Sequence, residues 1–215
     1  MPTSSIAQTT SSAVTGLLRQ SLDQGRWASG EPLRQEEIAA ELGVSRVPVR
    51  EALFQLQAEG LLRMVPNKGM YVRAVSATEL GELFRLRRLI EADVLAEAVP
   101  LHTPATINRV ETIQAALDKA AAVSDRIAGD REFHEALYAP AQRGESMAVV
   151  RRLRFQVDRY YYARMKPGTR AQGWHEEHHA LIRALRRRDA KAALKVLQAH
   201  LAETERSALA ALARG

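Results

Sequence analysis

Residues 42–53 read Leu42-Gly43-Val44-Ser45-Arg46-Val47-Pro48-Val49-Arg50-Glu51-Ala52-Leu53. This stretch decides the fold of the N-terminal part of the chain. Ile38, Ala39 and Leu42, with Leu33 before them, mark a short helix that stops at Gly43, the usual residue just past a helix C-terminus. Only Val44 and Ser45 follow before a second helix opens. Ser45 is a good N-cap, and Pro48 falls in the first turn, where its missing N–H costs nothing. Val49, Ala52, Leu53 and Leu56 then lie on one apolar face, and Gly60 ends the helix. Two helices joined by so tight a turn form a helix-turn-helix, whose second helix enters the DNA major groove.

Upstream, Val14, Leu17, Leu18 and Leu22 recur at helical spacing, and residues 25–32, with two Gly and one Pro, break that helix. Residues 1–12 are small and polar without a period, and read as a flexible arm. Downstream, residues 61–65 and 70–75 are β-prone runs around the turn Pro66-Asn67-Lys68-Gly69. Residues 13–75 therefore predict helix, helix, tight turn, helix and hairpin: an α+β winged helix-turn-helix.

Residues 76–215 change character. They are rich in Ala, Leu and Arg with little strand signal. Breaks at Pro100, Pro104, Gly129, Gly144, Pro167-Gly168 and Asp189 divide them into six helices, roughly 77–99, 104–124, 127–141, 145–165, 171–188 and 190–212. Pro140 ends or bends the third. This second domain is an all-α bundle.

The 215 residues are 46% hydrophobic and 26% charged, ample for a core. Cysteine is absent, which excludes a disulfide framework, a thiolate metal site and a cysteine nucleophile, and suits a cytoplasmic protein. No apolar run approaches the ~18 residues of a membrane span, and the N-terminus lacks the regions of a signal peptide. The net charge of +6 fits a nucleic-acid partner, but the excess lies outside residues 1–75, which hold eight basic and seven acidic residues.

Arg46 and Arg50 are four apart and share a helix face. They are either solvated charges or groups that take guanine O6 and N7 bidentately. Ser45 and the helix N-terminus are placed to meet phosphate, and Lys68-Gly69 at the hairpin tip to reach backbone or minor groove. The stretch from Leu42 to Leu53, with Leu56, Glu59-Gly60-Leu61 and Asn67-Lys68-Gly69, closely resembles the winged helix of GntR-family transcription regulators. The resemblance implies operator binding as a homodimer. It carries DNA contacts onto Arg46 and Arg50, with Ser45, Val47 and Pro48 beside them, and onto Gly69. Where many relatives place an acidic residue and a DNA-contacting Arg, this chain reads Gln35-Glu36, and Arg34 is the candidate substitute.

All six histidines fall in the C-terminal part. Asp130 and His134 are spaced i, i+4, His178 falls on the fifth helix of the bundle and His200 on the sixth. One carboxylate and three imidazoles converging in a bundle suit Zn, Ni, Mn or Fe. Spacing alone leaves a second reading open, in which each histidine is a core residue satisfied locally. Asp130-Arg-Glu-Phe-His134 and His178-x-x-Leu181-Ile182-x-Ala184-Leu185, with Asp189 and His200 at steps of eleven, resemble the FCD effector domain of the FadR subfamily, and six helices point to its VanR-like branch. Members with this Asp/His/His/His set bind a divalent metal that in turn holds a small carboxylate effector.

His175 lies one turn before His178 and is a candidate pocket residue, whereas His179 points about 100° away towards solvent. His102 reads as a loop surface residue. Arg87 sits where relatives keep an inward Arg for an effector carboxylate; the alternative is a buried Arg87–Glu91 pair at i, i+4. Tyr160, Tyr161 and Tyr162 offer a pocket hydroxyl or simply core, and Arg143-Gly144-Glu145 stands where many relatives carry an Asn. The expectation is a ligand-responsive regulator, most simply a repressor. Two other classes stay open: a metal-dependent enzyme acting on a small acid, and an architectural DNA binder with a structural metal. Against an enzyme, there is no His-Glu-x-x-His helix, phosphate loop or nucleophile elbow.

Overall fold

A computed structural model describes residues 3–162 and 172–213. The chain divides into two compact units, residues 1–75 and 76–215.

The first unit holds α1 (Thr3–Asp23), β1 (Pro32–Leu33), α2 (Gln35–Leu42), α3 (Arg46–Ala58), β2 (Leu62–Val65) and β3 (Gly69–Val72). Val14, Leu18 and Leu22 of α1 are buried and Leu17 is exposed, so the apolar face is narrower than the sequence spacing suggests. That face packs on α3, which buries Val49, Ala52, Leu53 and Leu56. Gly43 takes the left-handed conformation at φ 63°, and the N–H of Val44 bonds the carbonyl of Ala39, which closes α2 and turns the chain into α3. Gln35 Nε2 donates to the carbonyl of Arg46 at 2.8 Å, tying the starts of the two helices.

Three features differ from the sequence expectation. Residues 3–12, expected as an arm, are the first turns of α1. Once the packed Val14–Leu22 segment pays for nucleation, adding a turn costs little even for Ser and Thr. Leu33 belongs to β1 and α2 starts at Gln35. Finally, β1 joins the hairpin as a third antiparallel strand, in the order β1-β3-β2, with Leu33 opposite Met70. Two residues are too few to show a strand period. The wing turn needs Gly69, at φ 96°, a region closed to most side chains.

The second unit holds α4 (Ala77–Leu101), α5 (Pro104–Leu117), α6 (Val123–Tyr138), a 3-10 turn (Ala139–Ala141), α7 (Gly144–Tyr162), α8 (Gln172–Arg186) and α9 (Ala190–Leu212). Capping boxes at Ser76/Glu79 and Thr103/Thr106 start α4 and α5, and Asp189 caps α9. α4 packs on α9, α7 and α6, and α5 on α6 and α8, around Val94, Leu95, Phe133, Leu137, Leu181 and Leu197. α4 runs through Pro100 to Leu101. Gly129, expected as a helix break, lies inside α6: a Cβ there would come within 2.8 Å of Leu117 Cδ1, so this glycine serves close helix approach. The α5–α6 break falls earlier, at 118–122, and Pro140 ends α6 as the 3-10 turn. No helix among the described residues is long and apolar enough to cross a membrane.

The two faces of α3 are set apart by single substitutions. Leu56→Ala, at a fully buried position, is expected to cost ~2–5 kcal/mol. Phe54→Ala, at a position 46% exposed, stays within ~0.5 kcal/mol. Urea unfolding monitored by circular dichroism reads both.

Candidate metal centre and nucleic-acid interface

On α3, the residues that avoid the core are the ones expected to meet DNA. Arg46, Val47 and Arg50 are exposed, Val47 by 53%, and Pro48 is half-buried. Ser45 occupies the N-cap position of α3, and its side chain makes no capping hydrogen bond. Arg46 pairs with Glu36 at 3.2 Å and Arg34 with Glu37 at 3.6 Å, both at exposed positions. Such pairs are worth ~0–1 kcal/mol and yield readily to phosphate or guanine. Lys68 and Gly69 are exposed at the turn of the β2–β3 hairpin.

In the second unit, α6 presents Asp130 and His134 one turn apart, α8 presents His178 and α9 presents His200. All four are buried, and one ligand atom from each lies within 4.8 Å of the others. Nε2 of His134 is 3.6 Å and Nε2 of His178 is 3.5 Å from Oδ1 of Asp130. Metal bonds of ~2.0–2.2 Å put neighbouring donors on the order of 3–4 Å apart, so these separations suit a shared cation.

The outer nitrogens explain why the inner ones face each other. Nδ1 of His134 donates to Tyr138 Oη (3.3 Å), Nδ1 of His178 to Gln114 Oε1 (2.8 Å) and Nδ1 of His200 to Glu177 Oε2 (2.8 Å). With the proton on Nδ1, each Nε2 is an acceptor, the tautomer that an acceptor behind a ligating histidine selects. Phe133 stacks on the His178 ring at 4.0 Å and holds its plane. Among the described residues, Asp130 Oδ1 and His134 Nε2 have no hydrogen-bond partner. A buried pocket lined by acceptors with no donor is costly unless a cation fills it. The residues present therefore fit a divalent metal.

A charged network backs this cluster. Arg154 of α7 donates through Nη2 to Asp130 Oδ2 (2.5 Å) and through Nη1 to Glu91 Oε2 (3.3 Å). Arg87 Nε donates to Glu91 Oε1 (2.6 Å), and Tyr138 Oη to Glu91 Oε2 (2.7 Å). Burial pushes Glu91 up, but Arg87 and then Arg154 outweigh it and hold the carboxyl below its usual range. Burial and then Glu91 push the Tyr138 phenol well up, so it keeps its proton as a donor. Burial is also the main reason that His134 and His178 lie well below the usual imidazole range; Arg154 adds to it for His134 and His200 for His178. Each of helices α4 to α9 contributes at least one of these residues.

Arg87 thus occupies the buried Arg87–Glu91 pair, beside the cluster. His175 is not brought into the cluster: it donates to Asp118 Oδ1 (2.6 Å), which also accepts from Gln114 Nε2 (2.8 Å), so it stands three hydrogen bonds from His178 along this path. His179 is exposed and meets Asp118 at 3.0 Å. His102, expected on a loop surface, is buried as the C-cap of α4, with Nδ1 on Thr106 and Nε2 on the Leu137 carbonyl. A histidine can satisfy both ring nitrogens where two helices meet, which a single sequence does not display. Arg143 pairs with Glu97 (2.7 Å) and Asp93 on the surface. The side chains of Tyr160, Tyr161 and Tyr162 lie outside the described residues. Arg154, Tyr138, Gln114 and Glu177 were missed in the sequence. For Arg154 a signal existed: Val150, Arg154 and Val157 share one inward face of α7.

Comparison with known proteins matches residues 10–72 to the bacterial regulatory proteins of the gntR family and residues 82–203 to the FCD domain. The Nta operon transcriptional regulator of Aminobacter aminovorans is 32% identical over 69% of this chain and 70% of its own length. The HTH-type transcriptional repressor RspR of Escherichia coli K12 is 27% identical over 89% of this chain and 85% of its own. The solved structure of E. coli McbR/YncC is similar with a TM-score of 0.79 and 25% identity, covering 95% of this chain and 97% of its own.

Because His134 and His178 are held neutral, the metal-free protein takes up protons at both as it unfolds below pH ~6.5. Their folded ranges are depressed, so stability is full above the unfolded value and falls as pH drops through it. The expected slope reaches ~2.7 kcal/mol per pH unit for two protons. Urea unfolding in EDTA between pH 8 and pH 5 checks this, and His134→Gln is expected to shallow the slope.

Proposed function

The chain belongs to the GntR family of bacterial transcription regulators, with an FCD domain behind its winged helix, and on that premise we propose a metal- and acid-responsive repressor. The regulator class is not an enzymatic one. RspR and the Nta regulator are named for transcriptional control, the first as a repressor.

The single observation that carries the metal reading is the convergence of one buried ligand atom from each of Asp130, His134, His178 and His200, within 4.8 Å of one another. The four residues would hold Zn, Ni, Mn or Fe. Three imidazoles and one oxygen leave coordination positions open in a five- or six-coordinate ion, and a small carboxylate is the effector that would take them. Arg87, buried beside the cluster, supplies a cation for the acid, and Tyr138 and Glu91 fix its neighbours. Two copies of the chain would present two α3 helices to a two-fold operator. Arg46 and Arg50 would read base edges, with Val47 against a thymine methyl, while Ser45, Pro48, Arg34, Lys68 and Gly69 lie along the backbone. The reading places the protein in the cytoplasm, where its DNA is.

Effector binding reaches DNA only through a difference in affinity between two states of the dimer. α4 is the element for that difference. It follows the winged helix in the chain after residues 73–76 and carries Arg87 and Glu91 to the charged network beside the cluster.

The test begins with selection of an operator from random DNA, followed by fluorescence anisotropy. Arg50→Ala is expected to weaken operator binding ~5–150-fold and to relax base preference at one position, as a lost bidentate contact does. A panel of small carboxylates is expected to shift operator affinity ~5–150-fold with metal present and not in EDTA. Operator binding indifferent to every acid and to EDTA would leave a DNA binder whose bundle only assembles the dimer.

A further inference from the structure

The buried charges around the cluster are already balanced without a metal. Arg154 is paired with Asp130 and Glu91, and Arg87 with Glu91, so two guanidiniums stand against two carboxylates. All four side chains are buried. A further carboxylate bonded to a candidate ligand is Glu177, which accepts from His200 and whose side chain keeps 26% of its exposure. Asp118 lies a further hydrogen bond away, behind Gln114, and shares itself with His175 and His179. Asp158, also buried, is matched by Arg131 at 2.9 Å.

The two oxygens of Asp130 are thus divided. Oδ2 is taken by Arg154 at 2.5 Å, and Oδ1 faces the imidazoles. A carboxylate so held binds a cation through one oxygen only. Its charge is also largely spent on the guanidinium, and three neutral imidazoles add none. A divalent ion among these four residues keeps most of its double charge in a buried site, where such an excess is expensive. The Nε of Arg154 has no hydrogen-bond partner among the described residues, so one further donor in the same network is unmatched.

We propose that Arg154 is a positioning residue that makes metal binding depend on the acid: by occupying one oxygen of Asp130 it keeps that ligand monodentate and leaves both a coordination position and a positive charge for an anionic carboxylate to fill. The proposal rests on the metal and acid reading above and adds the reason why the two bind together. Reciprocity follows, because each must raise the affinity of the other by the same factor. Without Arg154, Asp130 recovers its full charge and its second oxygen. It then closes the position that the acid would take.

Calorimetric titration of the full chain with Ni2+, alone and with saturating acetate or malonate, tests this. In the wild type, acid is expected to tighten Ni2+ binding at least ten-fold. Arg154→Met is expected to bind Ni2+ at least as tightly as the wild type without acid, and to show less than a two-fold effect of acid. Arg154→Lys, which keeps a cation on Oδ2, is expected to restore the dependence. Wild-type Ni2+ binding indifferent to both acids, or an Arg154→Met variant with the wild-type dependence, overturns the proposal. So does a helical Arg154→Met variant that no longer binds Ni2+. Should that variant not fold, the visible spectrum of the Co2+-loaded wild type decides. A five- or six-coordinate spectrum that changes with acid supports the proposal, and a tetrahedral one indifferent to acid contradicts it. A wild type that binds no divalent metal at all overturns instead the reading on which the proposal stands.

Discussion

The second unit depends on the way one carboxylate is shared. Asp130 gives Oδ2 to Arg154 and Oδ1 to a pocket of imidazole acceptors. Remove the guanidinium, and a buried carboxylate loses its partner, a change that ordinarily costs several kcal/mol. Remove the imidazoles, and nothing is left to define a cation site. Arg154 is in turn fixed by Glu91, and Glu91 by Arg87 and Tyr138, so that helices α4, α6 and α7 meet at one ionic knot. The apolar core around Phe133, Leu137, Leu181 and Leu197 excludes water from this knot and makes each charge depend on its neighbour.

The first unit solves a different problem. It needs one helix with a buried face firm enough to hold the opposite face in place. α1 and the small sheet supply the packing, and Gly43 supplies the turn that aims α3. What stays outside is short-paired or free to exchange partners: Arg46 on Glu36, Val47 half in solvent, Ser45 without a capping bond. Groups poised in this way lose little when a phosphate or a base edge replaces their present neighbours.

Much of this was legible in the sequence because it is local. The turn at Gly43, the apolar face of α3 and the hairpin around residues 66–69 are all written within a few residues of one another. The i, i+4 spacing of Asp130 and His134 is equally local, and the resemblance to the FCD domain joined His178 and His200 to it. The parts that were not legible are made by packing. Strand β1 has two residues and exists only because β3 lies beside it. Gly129 looks like a break, but it is the seat of Leu117 in a close helix contact. His102 looks exposed until α6 brings the Leu137 carbonyl to it. Arg154 follows Arg151 and Arg152 on α7, and those two are exposed while it is buried. His175 shares a helix with His178, yet its ring turns to Asp118 because Gln114 already occupies the inner side. Helical spacing names a face; which partner awaits that face is a tertiary fact.

The most direct test of the account is the metal content of the purified chain. Wild-type protein and His178→Ala would be dialysed together against a mixture of divalent metals and then against metal-free buffer, with bound metal counted by mass spectrometry. The expected result is a single divalent ion retained per wild-type chain and none retained by the variant. A wild type that keeps no more metal than the variant would contradict the assignment of Asp130, His134, His178 and His200 as a metal centre.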